Sequence, residues 1–134
     1  MSIIDHLSVG VSNIDLAGRF YDGLLATIDC LPKVKHEKFI AYGEKGVELL
    51  VMLPNNGKQS TAGNGTHIAL VAPSQQSVDD FHAFAIAEGG QCAGEPGPRL
   101  DYPIPNVYTA YVLDPFGNKL EIIHNGFLNL GRKS

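Results

Sequence analysis

Only two cysteines, Cys30 and Cys92, occur in the 134 residues of this chain, far apart, so no disulfide framework is implied. Each reads as a small buried apolar residue rather than a nucleophile. Basic residues are not in excess. The net charge is −4 with no block of like charge, which argues against a nucleic-acid surface. No apolar run approaches the roughly 18 residues needed to cross a bilayer, so no membrane partner is expected. The opening Met1-Ser2-Ile3-Ile4-Asp5 lacks the charged and apolar regions of a secretory signal. A reducing cytoplasm is the expected location.

What is present is an ordinary apolar fraction of 44%, enough for a core in a single domain built of two fused modules. The chain says nearly the same thing twice. Ile4-Asp5-His6-Leu7-Ser8-Val9, a helical stretch ending near Phe20-Tyr21, then Phe39-Ile40-Ala41-Tyr42 and Val47-Glu48-Leu49-Leu50 make one pass. Gly65-Thr66-His67-Ile68-Ala69-Leu70, a helical stretch around Phe81, then Tyr108-Thr109-Ala110-Tyr111 and Leu120-Glu121-Ile122-Ile123 make the next. His6 to His67 and Phe20 to Phe81 are both 61 positions.

The passes resolve into elements. Residues 3–11 alternate as a strand, and Ser12-Asn13-Ile14-Asp15 reads as a capping box opening a helix with Leu16, Phe20 and Leu24 on one face. Phe39 to Tyr42 and Val47 to Leu53 are strands about a Gly43-Glu44-Lys45-Gly46 turn, and Pro54 to Gly65 is a linker. Thr66 to Ala72 is a strand, and Ser77-Val78-Asp79-Asp80 caps a second helix that Gly89-Gly90 ends. Gln91 to Ala93 is a short strand, and Glu95 to Pro105, with four prolines, an irregular loop. Val107 to Leu113 and Lys119 to His124 flank a turn, and the tail from Asn125 is loosely held. The fold class is α+β: two βαβββ modules, residues 1–60 and 61–126, forming a curled mixed sheet around a cleft, with a tail at 127–134.

Strand alternation puts His6 with Ile4 and Ser8, His67 with Ala69 and Val71, Glu48 with Leu50 and Met52, and Glu121 with Ile123. Apolar neighbours imply that the faces bearing Glu48 and Glu121 are at least half covered. A carboxylate there costs several kcal/mol unless paired or bound to a cation. Neither glutamate is expected to have a lysine or arginine of matching parity on its own strand. A divalent ion held by His6, His67 and Glu121, with Glu48 as a further ligand, satisfies them all. Nitrogen and oxygen donors accept zinc, nickel, manganese, cobalt or iron alike. His36, His82 and His124 read as ordinary loop, helix and surface residues.

Those residues resemble the vicinal oxygen chelate superfamily, which contains glyoxalase I, the bleomycin-resistance proteins and the type I extradiol dioxygenases. The resemblance rests on Ile4-Asp5-His6, Arg19-Phe20-Tyr21-Asp22, Gly65-Thr66-His67-Ile68-Ala69 and Asp114-Pro115-Phe116-Gly117-Asn118-Lys119-Leu120-Glu121. It implies paired modules, a homodimer, and inward metal ligands at His6, Glu48, His67 and Glu121. It departs from glyoxalase I at Gly10, where a glutathione-binding arginine stands in that enzyme, and at Leu50-Val51-Met52, where a polar contact is expected. Asp101-Tyr102-Pro103 replaces a histidine-bearing segment found in short bacterial relatives.

The implied activity is that of a metal-dependent lyase or isomerase on a small substrate with two adjacent oxygens. Glu48 and Glu121 are the expected catalytic carboxylates. Tyr42, Tyr102, Tyr108 and Tyr111 are candidates to wall the cleft, with at least half of them simply core, and Arg99 is the candidate contact for an anionic group. The alternatives are an iron-dependent ring-cleaving dioxygenase and a metal-free protein that sequesters a drug or metabolite.

Overall fold

In the computed structural model, which describes residues 2–129, the two passes become two modules of identical connectivity. The first is β1 (Leu7–Gly10), α1 (Ile14–Ala26), β2 (Leu31–Lys35), β3 (Phe39–Gly43) and β4 (Leu49–Met52). The second is β5 (Ile68–Val71), α2 (Gln75–Ala87), β6 (Gln91–Pro98), β7 (Tyr108–Leu113) and β8 (Lys119–His124). Two four-stranded mixed sheets result, ordered β1-β4-β3-β2 and β5-β8-β7-β6, and neither closes. The first strand of each module lies parallel to its last, while the remaining pairs are antiparallel hairpins. Each expected histidine therefore stands immediately ahead of an edge strand, His6 before β1 and His67 before β5, next to the strand that follows the expected glutamate or carries it.

The helices start where polar side chains can take up free backbone donors. Asn13 caps α1 by accepting from Leu16 N, without the reciprocal bond expected of a capping box. At α2 the cap is Ser74. Ser77, expected to be the cap, sits three residues on and completes a true capping box. Gly89, at φ 100°, ends that helix in a conformation few other residues adopt.

One apolar cluster serves both modules. Phe20, Tyr21, Leu24 and Leu25 of α1 and Val78, Phe81 and Ala85 of α2 meet the helix-facing residues of the sheets, among them Val9, Val51, Val112, Leu120 and Ile122. Leu16, expected on that face, is 38% exposed because Ala17 and Tyr21 take the inward stripe instead. The helices pack so closely that a side-chain carbon on Gly23 would run into the Phe84 ring.

Two departures from expectation have simple causes. The loop from Glu95 begins as strand: Pro96 and Pro98 belong to β6, which tolerates missing amide donors because it is an edge. The tail is held as far as it is described. Phe127–Asn129 forms a 3-10 turn, and the Phe127 ring stacks on Tyr102 at 5.8 Å. The remainder of that tail, residues 130–134, lies outside the described residues.

Candidate functional site

Glu121 sits in the middle of β8, 3% exposed, on the side of the sheet away from α2. Its two oxygens do different things. Oε2 accepts from Thr109 Oγ1 at 2.7 Å and from the Tyr102 hydroxyl at 3.1 Å. Oε1 faces His67 Nε2 at 3.2 Å. The cross-strand partner of Glu121 is Tyr111, whose hydroxyl meets that of Tyr102 at 2.6 Å and whose ring stands edge-on to the His67 imidazole.

Burial is the main cause that raises both tyrosines above the ordinary phenol value. For Tyr111 the hydrogen bonds to Tyr102 and Glu121 raise it further, and for Tyr102 the nearby Glu121 charge opposes the lowering effect of Tyr111. Both stay protonated at neutral pH: Tyr102 donates to the carboxylate, and Tyr111 donates to the Tyr102 oxygen. One oxygen is thus fixed by a polar shell and the other is presented beside an imidazole, the arrangement by which outer hydrogen bonds aim a metal-ligating carboxylate.

Lys119 shares the face of Glu121 on the same strand, contrary to the expectation from parity. Its ammonium lies over the Tyr111 ring, 4.9 Å from the centroid. Among the described residues only His67 comes within ion-pair distance of Glu121.

The first module does not mirror this. Leu7 pairs with Leu49 and Ile68 with Leu120, so Ser8 answers Ala69 and Leu50 answers Glu121. Glu48 lies two residues earlier, ahead of β4, at the position answered by Lys119. It is exposed, not half covered, and its Oε1 takes the Glu44 amide at 3.0 Å. His6 is also exposed, with Nδ1 2.5 Å from Asp5 Oδ1. Within one chain His6, Glu48, His67 and Glu121 do not gather. Among the described residues the only group of three or more His, Cys, Asp or Glu with ligand atoms mutually within 4.8 Å is His82, Cys92 and Glu95.

The other sequence candidates divide. Tyr102 and Tyr111 stand at Glu121. Tyr42 and Tyr108 point to the helix side, donating to Asp22 at 2.7 Å and Asp79 at 2.7 Å. The Arg99 guanidinium donates to the carbonyls of Glu95, Gly97 and Pro98, at the rim of a cavity of about 430 Å³ lined by Tyr102, Ile104 and Val107. A second cavity, about 450 Å³ and mostly apolar, lies against the edges of β1 and β5 and includes Glu48, Tyr42 and Ala69. The cysteines are not both buried: Cys92 is exposed and Cys30 half-buried. His82, read as ordinary, is buried against Cys92.

The Asp114–Asn118 turn holds the site strand in place. Asp114 Oδ1 accepts from the Phe116 and Asn118 amides at 2.8 Å each, and Oδ2 accepts from Asn118 Nδ2 at 2.8 Å and Tyr21 at 2.6 Å. Asn118 Nδ2 also reaches the Gly10 carbonyl at 2.8 Å, tying the root of β8 to the first module.

A family model described as the Glyoxalase/Bleomycin resistance protein/Dioxygenase superfamily matches residues 3–122. The chain belongs to this superfamily. A glyoxalase/bleomycin resistance protein from Albidiferax ferrireducens T118 is 35% identical, superposes with a TM-score of 0.84, and the match covers 93% of this chain and all of that one, 100%. A glyoxalase-related enzyme from Fulvimarina pelagi is 22% identical with a TM-score of 0.70, over 92% of this chain and 89% of its own. A lactoylglutathione lyase from Agrobacterium tumefaciens shares the fold at 18% identity, TM-score 0.61, over 92% and 94% of the two chains. A search of curated proteins gave no match. Superfamily membership fits the duplicated βαβββ frame and the turn that leads into Glu121. No described helix is long and apolar enough to cross a membrane.

Proposed function

We propose that this chain is a metal-dependent lyase or isomerase of the glyoxalase type, acting as a homodimer on a small substrate that offers two adjacent oxygens. The observation that carries the reading is Glu121: a buried carboxylate with one oxygen anchored by Thr109 and Tyr102 and the other turned to His67. His67 and Glu121 would supply one half of a divalent site. His6, on the exposed edge of its sheet, would complete it from a second copy, because it does not join the pair within its own chain. The exposed apolar residues Ile4, Leu7 and Val71 flank those two edge strands and suit burial between copies.

A bound divalent ion would supply Lewis-acid stabilisation of negative charge on the substrate oxygens. The chain's own residues do the rest. Thr109 and Tyr102 hold Glu121 in its ligand orientation, and Tyr102 and Tyr111 keep their protons and close that side of the site. Glu48 falls outside the ligand set, because Leu50 occupies the place that answers Glu121. Exposed, with one oxygen on the Glu44 amide, Glu48 is the carboxylate available to move a proton between substrate carbons.

The same Leu50 favours a second reading. Two histidines and one carboxylate with open positions is the donor set of iron sites that activate dioxygen, so ring cleavage of a catechol is the competing activity.

The test is elemental analysis of the purified chain, carried on a Cys92→Ser background so that sulfur-held metal is not counted. His67→Ala and Glu121→Gln should each lose the metal, and Glu48→Gln should keep it while losing turnover. Mixing His6→Ala with Glu121→Gln protein should restore metal, since a mixed dimer has one complete site. Retention of metal by both His67→Ala and Glu121→Gln, or no recovery on mixing, would refute the shared site. Oxygen uptake with a catechol would select the second reading. Stoichiometric ligand capture unaffected by a chelator would mean sequestration instead.

A further inference from the structure

β6 departs from regular pairing twice. Cys92 pairs with Val112 and Gly94 with Tyr111, so an extra residue stands between them, and a second irregularity follows before Gly97. In a regular strand Cys92 and Glu95, three apart, would point to opposite sides of the sheet. The bulge undoes that alternation, as bulges do when they re-aim a side chain. Glu95 Oε1 lies 3.4 Å from Cys92 Sγ.

The same sulfur meets a third group. His82 projects from α2, and its Nε2 lies 3.2 Å from Cys92 Sγ. The imidazole is 8% exposed, and a thiol is a weak hydrogen-bond partner for so buried a ring. The thiol has one proton to give, and it is directed at Glu95 Oε1. The three donor atoms all lie within 4.8 Å of one another. Arg99 fixes the segment from behind, its guanidinium donating to the Glu95 carbonyl at 2.8 Å and to the Gly97 carbonyl at 3.1 Å.

We propose that His82, Cys92 and Glu95 form a second metal site, selective for zinc and other thiophilic divalent ions, with three protein ligands and one open position. One imidazole nitrogen, one thiolate and one carboxylate oxygen are a zinc donor set, and the two negative ligands balance a dication. At zinc–ligand lengths of about 2.0–2.3 Å, tetrahedral ligands sit about 3.3–3.6 Å apart. The sulfur–nitrogen and sulfur–oxygen distances are already close to that, and the exposed Glu95 side chain needs only to swing toward His82. On binding, the Cys92 S–H bond breaks, a sulfur–metal bond forms, and the proton leaves to solvent with no change of oxidation state. Cys92 pairs with Val112, on the helix side of the sheet, whereas Glu121 and Tyr111 face the other side. This site therefore lies within one chain and is independent of the one shared between copies.

The probe is cobalt(II), which shows a near-ultraviolet sulfur-to-metal charge-transfer band only when a thiolate binds it. Chelator-stripped full-length protein should develop that band, saturating at one ion per chain, and zinc should abolish it. Cys92→Ser should lose the band and Cys30→Ser keep it. Glu95→Gln, an exposed change that leaves the helix and sheet intact, should weaken binding at least ten- to a hundredfold, since even the outer partners of metal ligands are worth about that much. His67→Ala and Glu121→Gln should keep the band, so failure of the shared site leaves this one standing. No band in the parent protein, a band that follows Cys30, or full affinity in Glu95→Gln would overturn the assignment. Circular dichroism on Cys92→Ser and Glu95→Gln confirms that the comparison is between folded proteins.

Discussion

Removing the Asp114 carboxylate should cost this fold a large share of its stability. The carboxylate is 3% exposed and accepts four hydrogen bonds, from two turn amides, the Asn118 side chain and Tyr21. Asp114→Ala removes all four at once. The Tyr21 hydroxyl, in a fully buried residue, has no water to turn to, and an orphaned buried donor costs about 1–3 kcal/mol. The Phe116 amide regains some water, since that residue is only half-buried, whereas the Asn118 amide stays buried. The net loss should be about 3–5 kcal/mol, the range for breaking a buried charged network. That is a serious fraction of the roughly 5–15 kcal/mol that holds a domain of this kind together. Tyr21→Phe loses one bond but leaves no orphan, because Asn118 still donates to the same oxygen, so it should cost about 1 kcal/mol. Urea unfolding followed by circular dichroism measures all three proteins, with the double variant closing a cycle. A loss below about 1 kcal/mol in Asp114→Ala would show that the turn does not bear on stability. Additivity in the Tyr21→Phe/Asp114→Ala pair would show that the modules are not tied through this contact.

Alkaline unfolding should be steep. Burial, then the Asp114 charge, raises Tyr21 well above the usual phenol value, and burial, then the Asp22 hydrogen bond, raises Tyr42. A folded value above the unfolded one means that stability is whole below about pH 10 and falls as pH rises past it, by about 1.4 kcal/mol per pH unit for each group. Tyr42→Phe should flatten the slope by one such increment, and an unchanged slope in a pH series of urea melts would refute this. Gly23→Ala should destabilise by about 1–3 kcal/mol by overpacking against Phe84, and Gly23→Ala/Phe84→Ala should melt no lower than Phe84→Ala alone. Thr109→Val keeps the shape but removes the hydroxyl that holds Glu121 Oε2, so metal affinity at the shared site should fall about ten- to a hundredfold, and the folded protein should lose about 1–3 kcal/mol because a buried carboxylate oxygen gives up a donor. Equal affinity would mean that the hydroxyl only satisfies a buried carboxylate.

What could be read from the sequence was whatever the duplication left unshifted. β1 and α1 recur 61 positions later as β5 and α2, because nothing is inserted between strand and helix. The fold class follows from strand alternation and spacing, and of the four residues expected to converge His67 and Glu121 meet within the chain. The offset changes further on. Tyr42 pairs with Leu49 across six residues, while Val112 pairs with Leu120 across seven, and this longer turn moves the register. Likeness of short apolar strings set Glu48 against Glu121, whereas backbone pairing sets Leu50 there. Ser77, expected as the cap of α2, is its third residue instead, because Ser74 caps the helix and serines three apart can each take up a backbone amide of the other. The meeting of His82, Cys92 and Glu95 has no spacing signature at all. It needs a helix laid over an edge strand and a bulge in that strand, neither of which residue types announce.

The register also explains why only one module carries the carboxylate. The neighbours on the strand beside it that make Glu121 tolerable are Thr109, which donates to it, and Tyr111, which meets the Tyr102 hydroxyl that also donates to it. Their counterparts in the first module are Phe39, opposite Met52, and Ala41, opposite Leu50. Neither can donate a hydrogen bond. A glutamate at position 50 would lose water without gaining partners, and a half-satisfied buried charge is worse than an apolar residue of the same size. Leucine there is the consistent choice once the donors are gone. Each change thus entails the others, and the duplicated sheets end as complements: one polar and centred on Glu121, the other apolar along Phe39, Leu50 and Met52 with His6 at its edge. A site shared between copies would join the two kinds of surface. The substrate to look for is therefore one whose paired oxygens sit at one end of an apolar body, and not a small sugar that is polar on every side.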